Sequence, residues 1–404
     1  VTDPGTPPRR LAVVLSHPTQ YYSPWFRWIR AHSGIDLRVF YLWDFGVAET
    51  HDPQFARRFA WDVDLLSGYE SEFVPNVSKR PGAEHFLGFR NPGLTARIAA
   101  WGPDALLIFG YKYASHLAAI AWARSRSIPL LFRGDSHLLG GRRLGLRARV
   151  PLRILYSQFA RFLYVGEANR DYFRTLGVPE SKLFRCPHCV DAALFDPARQ
   201  GVAEEAAGLR ARLGIGPATR VVLFAGKLLP AKQPAELLEA FLALAPADAA
   251  LVFVGDGPER ERLLRAAEGA AAPVRFLPFA NQSEMPARLA MADVFALPSR
   301  GLYETWGLAV NEAMHMGVPC LVSDRVGCQR DLVTQGKTGW VFRADDAQGP
   351  GRALAEALSD LRSPGRLGAI RQGVRDRIGG YTYAHATEGL LAALASLPRR
   401  RMIA

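Results

Sequence analysis

Cysteine and methionine are scarce in this 404-residue chain, which holds four of one and five of the other. Four cysteines cannot staple a chain of this size, so a disulfide framework is excluded and a reducing compartment is expected. Cys186 and Cys189 form a Cys-x-x-Cys around His188. No second ligand pair stands at zinc spacing, so neither a metal nor a redox centre is expected there. Long apolar runs are also missing. None approaches the roughly 20 residues that a membrane span requires. The first ten residues, VTDPGTPPRR, are polar and proline-rich, unlike a signal peptide. A cytoplasmic protein is the expectation.

Acidic residues fall short of basic ones, 38 against 50, for a net charge of +12. Nucleic acid, anionic lipid or a phosphorylated substrate would each suit that surplus. No basic-aromatic module, zinc finger or recognition-helix pattern is present, which argues against nucleic acid. The densest basic stretch, Arg142 to Arg153, runs directly into the apolar segment ILYSQFARFLYV. It reads either as a solvated face or as a peripheral contact with an anionic membrane, where arginine heads beside Leu, Ile and Tyr settle at the headgroup boundary.

Apolar residues make up 49% of the chain, and its length suits two domains of about 200 residues each. Short apolar runs alternate with helical patterns throughout, the mark of parallel sheets covered by helices on both faces. In the first half, strands are expected at Leu11 to Leu15, Leu37 to Leu42, Ala105 to Phe109, Pro129 to Phe132, Arg161 to Val165 and Leu183 to Arg185. Helices fit Trp25 to Ala31, Leu94 to Trp101, Ser115 to Arg126 and Glu167 to Leu176. The pattern restarts with strands at Arg220 to Phe224, Leu251 to Val254, Val274 to Leu277, Val294 to Leu297 and Cys320 to Val322. The boundaries expected are a first domain over 1–190, a turn-rich linker over 191–218, a second domain over 219–380 and a terminal segment over 381–404 that holds a last helix, His385 to Leu397, and a frayed PRRRMIA tail.

The densest information lies between Leu297 and Val322, LPSRGLYETWGLAVNEAMHMGVPCLV. A strand ends at Pro298-Ser299, a loop carries Glu304, and a helix from Leu308 to Met316, closed by Gly317, carries Glu312. Eight residues at helical rise span roughly 12 Å, enough to grip both ends of an elongated, hydroxyl-rich ligand. The amides of Trp306, Gly307 and Leu308 lie between the two carboxylates, at a helix N-terminus suited to phosphate. Taken alone, such a pair reads as a capping or surface carboxylate followed by an amphipathic helix.

This order of residues resembles the retaining glycosyltransferases of family 4 and their Glu-x7-Glu motif. The resemblance continues through Phe224-Ala225-Gly226-Lys227 with Lys232, Val254-Gly255-Asp256-Gly257-Pro258, Phe276-Leu277-Pro278-Phe279 and Thr338-Gly339, and covers most of residues 219 to 345. It implies an α/β fold of the GT-B type, two doubly wound Rossmann-like domains facing a central cleft, with the terminal helix crossing back to the first domain. Pro187 to Asp191 matches a family segment at the linker.

Carried over by position, the resemblance implies that Lys227 and Lys232 bind the donor diphosphate, with Gly226 beside them. Glu304 takes the hydroxyls of the transferred sugar and Glu312 those of the ribose. Thr305, Trp306, Gly307 and Leu308 complete the phosphate site, and the base rests near Phe279 to Gln282. Lys227 stands where the family more often has Arg, keeping the charge without the bidentate fork. The co-substrate implied is a UDP- or GDP-linked sugar, with no cofactor and no metal. Transfer needs the leaving phosphate stabilised as an oxocarbenium-like centre develops, which preorganised donors supply without a metal.

On the first domain the family's Gly-rich loop is replaced by SHPTQYYSPWF, where His17, Gln20 and Tyr21 are acceptor-side candidates. A second cluster holds Arg133, Asp135 and His137, the last matching a family histidine near the transferred sugar. His116 and His188 are read as structural. The Trp-rich segment Tyr41 to Trp61 shapes an acceptor pocket or packs internally. The alternatives are another GT-B activity, such as a sugar-nucleotide epimerase, or a catalytically silent sugar-nucleotide-binding scaffold. A phosphorylase would need a lysine-bound pyridoxal phosphate or a second phosphate site, and neither is evident.

Overall fold

The computed structural model describes residues 9–47, 49–52, 57–141, 143–300 and 304–397. Most of the leader VTDPGTPPRR, Arg142, part of the Trp-rich segment and the PRRRMIA tail lie outside these residues.

Two parallel sheets carry the molecule. The first contains β1 (Arg10–Leu15), β2 (Asp36–Tyr41), β5 (Glu70–Phe73), β6 (Ala105–Phe109), β7 (Leu130–Arg133), β8 (Arg161–Tyr164) and β9 (Leu183–Arg185), in the order β5-β2-β1-β6-β7-β8-β9. A separate antiparallel hairpin joins β3 (Thr50–Asp52) to β4 (Arg57–Phe59). The second sheet contains β10 (Arg220–Ala225), β11 (Ala249–Val254), β12 (Val274–Leu277), β13 (Val294–Leu297), β14 (Cys320–Ser323) and β15 (Gly339–Phe342), in the order β12-β11-β10-β13-β14-β15. Each central strand is apolar along its whole length because both faces are covered: Leu11 to Val14 and Val221 to Phe224 are fully buried. In both sheets the order reverses beside the first strand, which opens a crevice at the carboxyl ends of the strands.

Several expectations change. Edge strand β5, sequence ESEF, is polar and half-exposed, so no apolar run announces it. Strand β15, GWVF, is short and begins with glycine. The basic stretch is a helix, Leu146–Ser157, although Pro151 lies inside it. Within 191–218, Val202–Arg212 is a helix whose Val202, Ala206 and Leu209 join the same apolar cluster as Ala287 and Leu289 of the second domain.

The last helix, Tyr383–Ala395, packs on the first domain, with Ala386, Leu390 and Leu394 buried among Leu11, Val13 and Trp25. Trp25 Nε1 donates to Thr387 Oγ1 at 3.1 Å, and the Cys186 thiol donates to the Ala386 carbonyl at 3.1 Å. Among the described residues no helix is long and apolar enough to cross a membrane.

Candidate active site

The loops after the strands of both sheets meet around one cavity of about 440 Å³, within the usual range of roughly 300–1,000 Å³ for small-molecule sites. The second domain supplies Ala225 at the end of β10 with Gly226, Lys227 and Lys232 after it, Gly255 after β11, Phe279, Ala280 and Gln282 after β12, and Glu304 to Ala309 with Glu312 after β13. The first supplies His17 and Thr19 to Tyr21 after β1, Phe45 and Trp61, Asp135 after β7 and His188 after β9.

Lys232 closes a short helical turn, Pro230–Lys232, that leads into helix Pro234–Leu244. Its Nζ lies 2.7 Å from Glu304 Oε2, which also accepts from Ser299 Oγ at 3.0 Å. Glu304 and Lys232 are therefore one ion-paired unit rather than independent groups. Glu312 sits in helix Leu308–His315 and is 3% exposed. Its Oε1 accepts from Tyr21 OH at 3.0 Å and from Gln282 Nε2 at 3.3 Å. Burial pushes its carboxyl up to about 7, and those two hydrogen bonds restrain the rise.

The Leu308–His315 helix starts at Gly307, whose φ of +97° and contact with Val326 leave no room for a side chain: a Cβ there would lie 2.9 Å from Val326 Cγ1. Among the described residues no acceptor takes the amide hydrogens of Trp306, Gly307 or Leu308. With Lys227 and Lys232 in the same wall, this is a cradle for an anion with several oxygens.

The first-domain candidates divide. His17 and Gln20 line the cavity; burial takes the His17 imidazole down to about 4, so it is neutral near pH 7. Asp135 also lines it, and its Oδ2 accepts from Thr305 Oγ1 across the cleft at 2.7 Å. Burial pulls the Asp135 carboxyl up, but His188 and Thr305 outweigh it and hold the group below its ordinary value.

Arg133 and His137 do not reach the cavity. Arg133, the last residue of β7, is 2% exposed; its Nη1 donates to the Cys186 carbonyl at 2.7 Å and its cation lies over Trp25. It ties β7 to the chain beyond β9. His137 Nδ1 accepts from the Leu139 amide at 3.1 Å, so the proton is on Nε2, which donates to the Glu304 carbonyl at 3.3 Å. This contact ties the first domain to the Glu304 loop.

Sequence reading gave His188 no place in the cavity and did not foresee that Tyr21 is a partner of Glu312. His188, read as structural, lines the cavity; its buried Nε2 lies 3.8 Å from Asp135 Oδ2, beyond hydrogen-bond reach. Burial lowers its pKa, with Asp135 opposing the shift. All four cysteines are free and buried, and burial raises the Cys186 and Cys189 thiols, so their spacing marks packing rather than a reactive pair. Among the described residues no three His, Cys, Asp or Glu side chains converge as metal ligands do.

Paired doubly wound domains with a cleft between them define the class, the GT-B glycosyltransferase fold. Residues 207–371 match the model of the glycosyl transferases group 1. Among solved structures, Anabaena HepE in complex with UDP superposes with a TM-score of 0.72 at 18% identity, covering 96% of this chain and all of that one. WaaG, a glycosyltransferase involved in lipopolysaccharide biosynthesis, gives 0.63 at 16%, covering 95% and 98%. Likenesses at this identity concern the fold alone.

Among curated relatives, the GDP-mannose-dependent α-(1-6)-phosphatidylinositol monomannoside mannosyltransferase of Mycolicibacterium smegmatis is 34% identical over 55% of this chain and 59% of its own length. A GDP-mannose-dependent α-mannosyltransferase of Corynebacterium glutamicum is 27% identical over 80% of this chain and 75% of that protein. A D-inositol 3-phosphate glycosyltransferase of Nocardia farcinica is matched over 51% of its length, so the chain spans little more than half of some of the relatives it resembles.

Proposed function

We propose that the protein transfers a sugar from a nucleoside diphosphate donor to an acceptor, with retention at the anomeric carbon and without a metal. The observation that carries this reading is the convergence of Glu304, Lys232, Glu312 and the open amides of Trp306 to Leu308 on one interdomain cavity. Lys227, Lys232 and the amides hold the diphosphate, Glu304 the sugar hydroxyls and Glu312 the ribose. The bond between the anomeric carbon and the phosphate oxygen breaks with its electron pair going to the diphosphate, where cations and amide dipoles stabilise it. The acceptor oxygen bonds to the anomeric carbon and its proton passes to the departing phosphate. Glu304 Oε2 is engaged by both Lys232 and Ser299, which suits a hydrogen-bonding carboxylate better than a nucleophile.

The names of the Mycolicibacterium and Corynebacterium relatives favour a GDP-linked donor sugar, and the UDP complex of HepE keeps UDP as the alternative. For the acceptor we favour a lipid-linked molecule met at an anionic membrane surface. Helix Leu146–Ser157 leaves Leu146, Val150 and Ile154 exposed at 75%, 51% and 63%. Four-residue spacing puts them on one face. Arg147 flanks that face on one side and Arg149 and Arg153 on the other, and no acidic residue lies between Asp135 and Glu167.

A thermal-shift panel of UDP, GDP, ADP, dTDP and CMP tests the donor reading, because a ligand that selects the folded state raises its stability. One diphosphate is expected to shift the parent clearly and Lys227→Ala much less. No shift with any of them at millimolar concentration would turn the reading toward a scaffold.

A further inference from the structure

Trp61 belongs to the first domain yet forms part of the cavity wall that includes Phe279, Ala280 and Gln282. Both of its chain neighbours are fastened to the opposite domain. The Ala60 carbonyl accepts from Asn281 Nδ2 at 2.7 Å, and the Asp62 carboxylate accepts from the Ser283 amide at 3.2 Å and from the Ser283 hydroxyl. Asn281 in turn caps the short helical turn Gln282–Glu284 with a reciprocal capping box, so the clasp grips an ordered element. The indole rests on Gly46, where a Cβ would lie 2.8 Å from Trp61 Cδ1, and the Trp61 amide donates to the Gly46 carbonyl at 3.1 Å. Nearby, Tyr21, also of the first domain, reaches Glu312.

Resting on the donor reading above, we infer that the nucleoside end of the donor is recognised by both domains, with Trp61 as the stacking plane for the base and the Asp62–Ser283 clasp holding it there. The chemistry is that of a planar heteroaromatic ring against an indole, which tolerates different bases because each has a π-face. Tyr21 shares Glu312 with the ribose, so the first domain contributes to nucleoside affinity as well as to acceptor binding. Loss of Trp61 therefore weakens ligands that carry a base and spares those that carry only the diphosphate.

Calorimetric titration of the full chain with GDP, UDP and inorganic pyrophosphate separates these contributions. Trp61→Ala is expected to weaken the preferred nucleoside diphosphate about tenfold or more while leaving pyrophosphate binding within about twofold. Trp61→Phe should recover part of the loss, and Asp62→Ala should mimic it in weaker form. Since Trp61→Phe keeps an aromatic plane, its recovery guards against a folding defect. If the parent binds a nucleoside diphosphate and Trp61→Ala binds it equally well, or loses pyrophosphate to the same degree, the stacking role is wrong. If the parent binds none of the nucleotides in the thermal-shift panel, the donor reading falls and this inference falls with it.

Discussion

The two walls of the cavity are built from the chain in opposite ways. The donor-side wall draws most of its charged groups from two short spans, Gly226 to Lys232 and Glu304 to Glu312, each running from the end of a strand into a helix. The facing wall collects His17, Gln20, Tyr21, Phe45, Trp61, Asp135 and His188 from five separate loops. A phosphate cradle is local chemistry, since amides, a helix N-terminus and a lysine one turn away suffice. A surface shaped for an acceptor is assembled from parts that meet only when the sheet forms. The first domain also acts on the donor-side wall: Tyr21 bonds Glu312, Asp135 bonds Thr305 and His137 bonds the Glu304 carbonyl. The donor groups are thus held in place by residues of the domain that does not contain them.

The largest test of this asymmetry concerns the Lys232–Glu304 pair. Lys232→Ala and Glu304→Gln should each lower sugar transfer by about 100-fold or more, the scale of losing one preorganised stabilising group. Retention of transfer by either variant, measured with radiolabelled nucleotide sugars, would break the comparison, because the local wall would then not carry the chemistry.

Glu312 offers a second test through pH. Its folded carboxyl sits at about 7, above the ordinary 4.5. Between those values the unfolded chain has lost the proton that the folded chain keeps, so stability falls as pH rises through that window. The contribution is at most about 3 kcal/mol. Asp331, raised to about 6 mainly by burial, adds a slope of the same sign, whereas buried neutral His116 and His17 oppose it. Glu312→Gln should flatten the fall, and the difference in melting temperature between parent and variant from pH 5 to 8 isolates its share. Parallel curves would contradict the burial argument.

Arg133 sharpens the contrast within the first domain. Arg133→Met should cost about 2 kcal/mol or more of stability by leaving the Cys186 carbonyl unpaired, with nucleotide affinity unchanged in calorimetry. A selective loss of affinity would return it to the ligand-facing wall. The smallest expected effect is at the exposed helix face. Ile154→Asp should reduce co-sedimentation with phosphatidylglycerol vesicles severalfold and leave nucleotide binding intact, whereas equal binding of parent and variant would remove that face as the contact.

The elements legible in advance share one property, an apolar signal contained in the chain itself. Strands such as Ala105–Phe109 and Val294–Leu297, buried among neighbours on both faces, carry it in full. β5 was missed because an edge strand needs only one partner and tolerates ESEF. The helix over the basic stretch was missed because Pro151 interrupts the expected pattern and because the apolar residues on its exposed face look like core positions. Arg133 was placed near the ligand with the loop after a strand and His137 by its match to a family histidine, and neither signal says where a side chain points. His188 was set aside for the mirror reason, since its cavity-facing placement depends on Asp135, Trp306 and Tyr22 from distant parts of the chain.

By itself the sequence determined the two-sheet α/β architecture and which strand-to-helix loops of the second domain line the cavity, because strand burial and the loops that follow strands are encoded over a few consecutive positions. Only the tertiary structure decided that Lys232 pairs with Glu304, that Tyr21 caps Glu312, that Arg133 is an internal tie and that Trp61 reaches the opposite domain. Those outcomes depend on side chains separated by tens to hundreds of residues. Their distances are set by sheet order and domain closure, quantities that no local pattern contains.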